Sequence, residues 1–362
     1  MTDTIKKNPL GIKTFAYLEF TTDNLSEMED MYNRLGFVKT AVSEHPDKTS
    51  WLMSAGRMTV VLTHSKITGE YNHEYLKKHF GGVSAIAFWV DNADTALNEA
   101  VRRGAKKLED VKVFNLNGKS YKRSAIQGFG DVRNIFVETD LSMNDQPGFV
   151  KIENPKKIDP AHDPKLVHLD HLTNNVPHGE MNKWVKFYED IFGFESVKYF
   201  EIKGEKTALR SKVVRSHDKA VCIPINEPWD ANGSDQITEY IKRHNGPGVQ
   251  HIAMSTGKIL PSVQTLKKNG FKFLTPPPHT YYEMLPNRVP NFNEDIPALE
   301  AEAILGDGDN TGYLLQIFTK DQIGPVFYEV IERHGHDGFG DGNFQALFDA
   351  IERDQVIRGV LK

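Results

Sequence analysis

Val167-His-Leu-Asp-His-Leu-Thr-Asn-Asn175 is a short run of mixed apolar and polar residues with histidines at 168 and 171, and its partners lie far along the chain. A second histidine stands in Gly248-Val-Gln-His-Ile-Ala-Met254, and a carboxylate in Val326-Phe-Tyr-Glu-Val-Ile-Glu332. All three runs read as strands. His171, His251 and Glu329 are therefore predicted to hold one metal ion. Two imidazoles and one carboxylate leave about three positions of an octahedral ion open. That suits a non-haem Fe(II) taking a substrate and O2 together, although zinc accepts the same donors.

Working outward, the chain repeats itself. Residues 10 to 22 read as a strand, and Met28, Met31, Tyr32 and Leu35 then recur at helical spacing until Gly36-Phe37 stops the helix. Strands follow around Trp51 to Met53 and Met58 to Thr63. A second unit opens at Gly82-Val-Ser-Ala-Ile-Ala, carries a helix over Ala93 to Arg103, and returns through strands to Asn134-Ile-Phe-Val-Glu138. The third begins at Val167, with a helix over Met181 to Phe192 closed by Gly193-Phe194. The fourth opens with Gly248-Val-Gln-His-Ile-Ala, and its helix from Val263 to Asn269 also ends in Gly-Phe. Four βαβββ units in two pairs give an α+β fold of two open barrels, with a C-terminal lid helix.

Pseudo-symmetry brings His171 and His251 together, because each begins the first strand of its repeat. Aligned on the first pair, Glu19 stands at the place of His171 and Ala85 at that of His251, so the first pair has lost its ligands. Residues 1 to 155 are predicted to be a structural domain and residues 156 to 362 the catalytic one, joined by the polar, Pro-bearing stretch from Asn144 to Pro164. His168 lies an odd number of residues from His171 and should face the other way. By the same parity Glu332 is predicted to be a solvated carboxylate, and Glu138 closes the first domain without histidines to serve. His64, His73, His79, His178, His244, His334 and His336 lie in polar or loop-like surroundings and are not expected to be ligands.

At 362 residues, with 39% hydrophobic and 26% charged side chains, the chain is an ordinary globular protein. A formal net charge of -5 gives no general attraction to nucleic acid or anionic membrane. No segment approaches a membrane span of roughly 20 apolar residues, and the N-terminus lacks a signal peptide's apolar stretch. The single cysteine, Cys222, rules out a disulfide framework within the chain and reads as a buried core residue. These features predict a cytoplasmic enzyme acting on a small molecule, without nucleic-acid or membrane partners and self-associating as a homo-oligomer through its first domain.

The C-terminal Gly338-Phe-Gly-Asp-Gly-Asn-Phe344 is a glycine-rich turn leading into a helix with Phe344, Leu347, Phe348 and Ile351 on one stripe, as expected of a lid over a site. Together with Leu169-Asp-His-Leu-Thr173, Ile223-Pro-Ile-Asn-Glu-Pro228, Gly248-Val-Gln-His-Ile-Ala253, Tyr313-Leu-Leu-Gln-Ile-Phe-Thr319 and Phe327-Tyr-Glu-Val-Ile331, it makes a series of blocks in one order. In these the chain resembles the 4-hydroxyphenylpyruvate dioxygenase family of the vicinal-oxygen-chelate superfamily.

That resemblance implies iron on His171, His251 and Glu329. It implies substrate contacts from Ser211, Asn226, Gln236, Gln250 and Gln316, and ring packing from Phe318, Phe339 and Phe344. Gln250 precedes a ligand, so strand parity would send it away from the metal. The implied reaction is oxidation of 4-hydroxyphenylpyruvate by O2 to homogentisate and CO2, a step of tyrosine breakdown. The rivals are a 4-hydroxymandelate synthase on the same substrate, separated by packing around Phe344 and Ile223, and a glyoxalase-like lyase or small-molecule binding protein.

Overall fold

The computed structural model describes residues 7–231 and 233–361. The first unit is β1 (Ile12–Thr21), α1 (Leu25–Arg34), β2 (Val38–His45), β3 (Lys48–Ala55) and β4 (Met58–Ser65). Helix α2 (Tyr71–His79) leads to the second: β5 (Gly82–Val90), α3 (Ala93–Arg102), β6 (Lys107–Leu116), β7 (Lys119–Gln127) and β8 (Arg133–Thr139), followed by the short β9 (Val150–Lys151). The third is β10 (Leu166–Asn175), α4 (Met181–Phe187), β11 (Glu195–Lys203), β12 (Ala208–Arg215) and β13 (Cys222–Pro228). Helix α5 (Gln236–His244) leads to the fourth. This comprises β14 (Gly248–Thr256), α6 (Ile259–Lys268), α7 (His279–Arg288), α8 (Ile296–Glu302), β15 (Leu305–Asp309), β16 (Gly312–Phe318) and β17 (Phe327–His334), and α9 (Asp341–Ile357) completes the chain.

The strands form a nine-stranded sheet, ordered β6-β7-β8-β5-β1-β4-β3-β2-β9, and an eight-stranded one, β11-β12-β13-β10-β14-β17-β16-β15. In each, two βαβββ units meet through their antiparallel first strands, β1 with β5 and β10 with β14. A shared local chemistry sets the repeat. The helices of all four units stop at a glycine with positive φ, Gly36, Gly104, Gly193 and Gly270. The residue after each glycine donates its N–H back into the final helical turn, for example Phe37 to Tyr32 O at 2.9 Å and Phe271 to Leu266 O at 3.0 Å. Helix starts are related too. Glu138 accepts from Ala93 N at 2.8 Å and Glu332 from Ile259 N at 2.6 Å, so each carboxylate caps its unit's helix. Glu332 is thus not a solvated carboxylate: the positive end of α6 draws it back onto the protein.

One apolar core runs through both halves. Phe192 packs on Phe88 and Phe136 with ring centroids 5.3 and 6.2 Å away, and Tyr32 and Tyr328 share a hydrogen bond of 3.0 Å. Helix α2, which carries little apolar periodicity, meets α5 here. His79 and His244 stack at 4.5 Å between Tyr75 and Tyr240, so these two histidines are buried interface residues rather than residues of polar loops. Cys222 is buried and free. No helix among the described residues is long and apolar enough to cross a membrane.

The pairing corrects one alignment. His171 pairs with Ala253 and Ala253 with Glu329, making one rung across β10, β14 and β17. The matching rung of the first sheet is Tyr17, Ala87 and Ile135. Tyr17, not Glu19, therefore stands where His171 does. A slip of two residues keeps the side-chain face, which is why parity alone did not expose it. Tyr17, Ala85 and Ile135 pack in one apolar cluster.

Glu19 instead forms a buried ion pair with Arg133 at 2.6 Å. Burial alone would raise its carboxyl, but Arg133, Lys48 and a hydrogen bond from Thr63 outweigh that and hold it at about 2, against an ordinary 4.5. A depressed carboxyl contributes stability that is complete above the unfolded value and fades as pH falls toward the folded one. Glu19→Ala should therefore cost about 3 kcal/mol at neutral pH in urea unfolding, because it strands Arg133. The gap from wild type should shrink as the pH falls from 4.5 toward 2.

Candidate metal centre

His171 and Glu329 flank Ala253 on one rung, and His251 lies two residues before Ala253 on the same face of the middle strand. Only a small residue at 253 lets the outer side chains close over it. His171 Nε2 comes to 3.1 Å from Glu329 Oε2, and His251 Nε2 to 3.5 Å from the same oxygen. All three residues are buried, and one ligand atom from each lies within 4.8 Å of the others, the single such group among the described residues. The arrangement is a metal-binding group.

Behind each ligand stands a partner. His171 Nδ1 donates to Asp170 Oδ1 at 2.8 Å, His251 Nδ1 to Gln250 Oε1 at 3.1 Å, and Gln316 Nε2 to Glu329 Oε1 at 2.8 Å. These bonds leave both Nε2 atoms and Glu329 Oε2 facing one point, as metal ligation requires. Adjacent residues on a regular strand point to opposite faces, yet Asp170 and Gln250 each touch the histidine that follows. The strand register shifts between Leu169 and His171, and again between Thr173 and Asn174 opposite Gln250. Each thus sits in a β-bulge that returns its side chain toward its neighbour. Gln250 lies off the metal-facing side, as parity predicts, while its bond to His251 and that of Asp170 to His171 carry no sequence signal.

The electrostatics suit a cation. Burial, aided by His171, pushes His251 well below its ordinary range. Burial would lower His171 as well, but Glu329 and Asp170 outweigh it and raise His171 to about 9. Metal binding at His171 Nε2 must displace any proton carried there toward Glu329 Oε2. Asp170 is held well below the carboxylate range despite its burial, by Arg333 and His171.

A cavity of about 40 Å3 adjoins the three ligands, lined by Thr173, Gln316, Phe318, Phe339, Phe344 and Leu347 among others. Phe339, Phe344 and Leu347 come from α9 and the turn before it. Gly340 makes that turn with φ of 69°, in the left-handed region that favours glycine, and a Cβ there would meet Gln316 Oε1 at 2.5 Å. Asn343, in the first turn of α9, donates to Gln316 Oε1 at 2.9 Å. Ser211 and Asn226 lie on one rung with Asn175, four residues past His171 on the same face and about 13 Å along the strand at ~3.3 Å per residue. Ser211 Oγ, Asn226 Oδ1 and Asn175 Nδ2 are buried without hydrogen-bond partners.

Gln236 and Gln250 line a separate cavity of about 310 Å3 beside α9, which the ligands do not share. Ile223 belongs to the main core, and its neighbour Pro224 lines the site instead, because β13 alternates regularly there. His168 turns away to bond Ser255 Oγ at 2.6 Å.

Ala253→Val should wedge His171 and Glu329 apart without removing a ligand. Affinity for a divalent ion, read by chelator competition on metal-free protein, is expected to fall about tenfold or more, comparable to losing an outer-shell bond.

Comparisons with known proteins fit this geometry. A family model described as hydroxyphenylpyruvate dioxygenase, N-terminal, matches residues 6–145, and one for the glyoxalase/bleomycin resistance protein/dioxygenase superfamily matches residues 168–286. The chain is 38% identical to Protein MelA of Shewanella colwelliana, covering 98% of this chain and 99% of that one. It is also 38% identical to a 4-hydroxyphenylpyruvate dioxygenase of Legionella pneumophila, covering 98% of each. Among solved structures, a triple mutant of 4-hydroxymandelate synthase from Streptomyces coelicolor superposes with a TM-score of 0.84 at 28% identity, covering 95% of this chain and 99% of that one.

Proposed function

The chain belongs to the 4-hydroxyphenylpyruvate dioxygenase family, and from that premise we propose that it is an Fe(II)-dependent dioxygenase converting 4-hydroxyphenylpyruvate and O2 to homogentisate and CO2 in tyrosine and phenylalanine catabolism. The observation that carries this reading is a buried His171, His251, Glu329 group opening onto an aromatic cavity. No Lys or Arg is among the described residues lining that cavity, so a keto acid finds no cationic side chain there. Ferrous iron held by the three side chains would supply both the positive charge for a 2-oxo acid and the electrons for O2, chemistry to which this donor set is suited.

The chain's own residues do the rest. Phe318, Phe339 and Phe344 pack the substrate ring. Ser211 and Asn226 receive the phenol hydroxyl, and their unpartnered atoms supply the motive, since a buried polar group without a partner costs free energy that a ligand can recover. Gln236, which lines the separate cavity, is not assigned that contact. Gln316 and Gln250 hold Glu329 and His251 in the ligating orientation. A cavity of about 40 Å3 holds a few waters but no aromatic acid, so α9 must lift to admit substrate and reseat to exclude water.

In this reading residues 1 to 155 are structural and residues 156 to 362 catalytic. A single free cysteine fits the reducing cytoplasm. The exposed Val113 and Val150 on edge strands β6 and β9 offer a pairing surface for a homo-oligomer.

The protein loaded anaerobically with Fe(II) should develop a charge-transfer absorption when 4-hydroxyphenylpyruvate is added. On admission of air it should consume O2 with homogentisate as the aromatic product by chromatography. Hydroxymandelate would favour the synthase reading that the structural likeness keeps in view, and turnover without O2 would point to a lyase. Ser211→Ala and Asn226→Ala should each lower kcat/KM about tenfold, the loss expected of one buried hydrogen bond.

A further inference from the structure

Arg333, the cation that holds Asp170 ionised, lies four residues beyond Glu329 on β17. Its guanidinium grips Asp170 with two parallel bonds, Nε to Oδ2 and Nη2 to Oδ1, both at 2.8 Å. This is the forked geometry that only arginine offers a carboxylate. The remaining arm, Nη1, donates to His336 O at 3.0 Å and Gly338 O at 2.7 Å. Those carbonyls belong to the turn that delivers Phe339, whose ring stands 6.3 Å from that of His171. Asp170 Oδ1 is also the atom that accepts from His171 Nδ1.

One unbroken line of hydrogen bonds thus runs from a metal-facing imidazole through a bulged carboxylate and a forked cation to the root of the lid. The corresponding bulge of the first sheet, between Phe15 and Tyr17, holds Ala16, which has nothing to grip.

We propose that Asp170 and Arg333 are positioning residues that make the orientation of His171 and the seating of α9 depend on each other. This rests on the metal-site reading above. With the turn before α9 seated, Arg333 is pinned by two carbonyls, Asp170 is pinned by Arg333, and His171 keeps Nε2 aimed at the ion. With the turn lifted, Arg333 loses two acceptors and Asp170 its fixed fork, so the imidazole is less constrained. Linkage requires the converse: an ion on His171 favours the seated turn.

The test uses the full-length metal-free protein with Co(II) as probe. Three readouts are taken: affinity by chelator competition, the visible Co(II) spectrum, and amide hydrogen exchange over residues 338 to 348. In wild type, Co(II) should raise protection across that stretch. Arg333→Lys keeps the charge and loses the fork, while Asp170→Asn keeps an acceptor for His171 and loses the ion pair. Each should bind Co(II) ten- to a hundredfold more weakly, with an altered spectrum and no Co(II)-induced protection. Asp170→Asn serves alone if Arg333→Lys does not fold.

Glu352 anchors the middle of α9 by accepting from Thr207 N and Oγ1, both at 2.7 Å. Glu352→Gln should therefore loosen the helix and, through the linkage, weaken Co(II) binding, while the spectrum of the Co(II)-saturated protein stays as in wild type because Asp170 and Arg333 are intact. Wild-type affinity in both positioning variants, or weakened binding with the metal-induced protection intact, would overturn the inference and leave the proposed function standing. A wild-type chain that binds no Co(II) at all would take down both.

Discussion

The antiparallel pairing of β10 with β14 is the constraint on which the molecule depends. Because the two strands are the opening strands of sibling units, their pairing places His171 and His251 across from each other about Leu172 and Ile252. Parallel pairing of β14 with β17 then adds Glu329 on the rung of Ala253. A register error of one residue in either pairing would send a ligand to the wrong face. The rest of the eight-stranded sheet, the closing glycines and the shared core hold that register in place.

The first sheet has the same pairing and the same bulges without the chemistry. Its rung of Tyr17, Ala87 and Ile135 fills with apolar packing where the second sheet has ligands, and its charge sits one step away in Glu19 and Arg133. The fold is therefore compatible with either occupant. What separates the halves is a few side chains on one face of three strands, in keeping with function being carried by sites set on a fold rather than by the fold itself.

Much of this was legible in the sequence because strand periodicity and glycine stops are local signals. The repeats, the three candidate ligands and the lid stripe of Phe344, Leu347 and Phe348 all follow from spacing alone. What escaped was nonlocal or irregular. A β-bulge has no sequence signature here, so the bonds of Asp170 and Gln250 to the histidines that follow them are not legible, and Glu19 aligns with His171 when Tyr17 holds that place. Helix α2 leaves weak periodicity because its rings pack across the interface, whereas α5 spaces Ile237, Tyr240, Ile241 and His244 at helical intervals and was legible. Glu332 looked solvated because nothing local shows that α6 begins beside it. Ile223 was given a place in the pocket that alternation along β13 assigns to Pro224.

The central claim is that His171, His251 and Glu329 share one ion. Anomalous diffraction at the iron edge, from crystals grown and soaked with Fe(II) under anaerobic conditions, tests it directly. A single strong peak within bonding distance of His171 Nε2, His251 Nε2 and a Glu329 oxygen is the expected result. A peak elsewhere, or none at a crystal that has taken up iron, would contradict it.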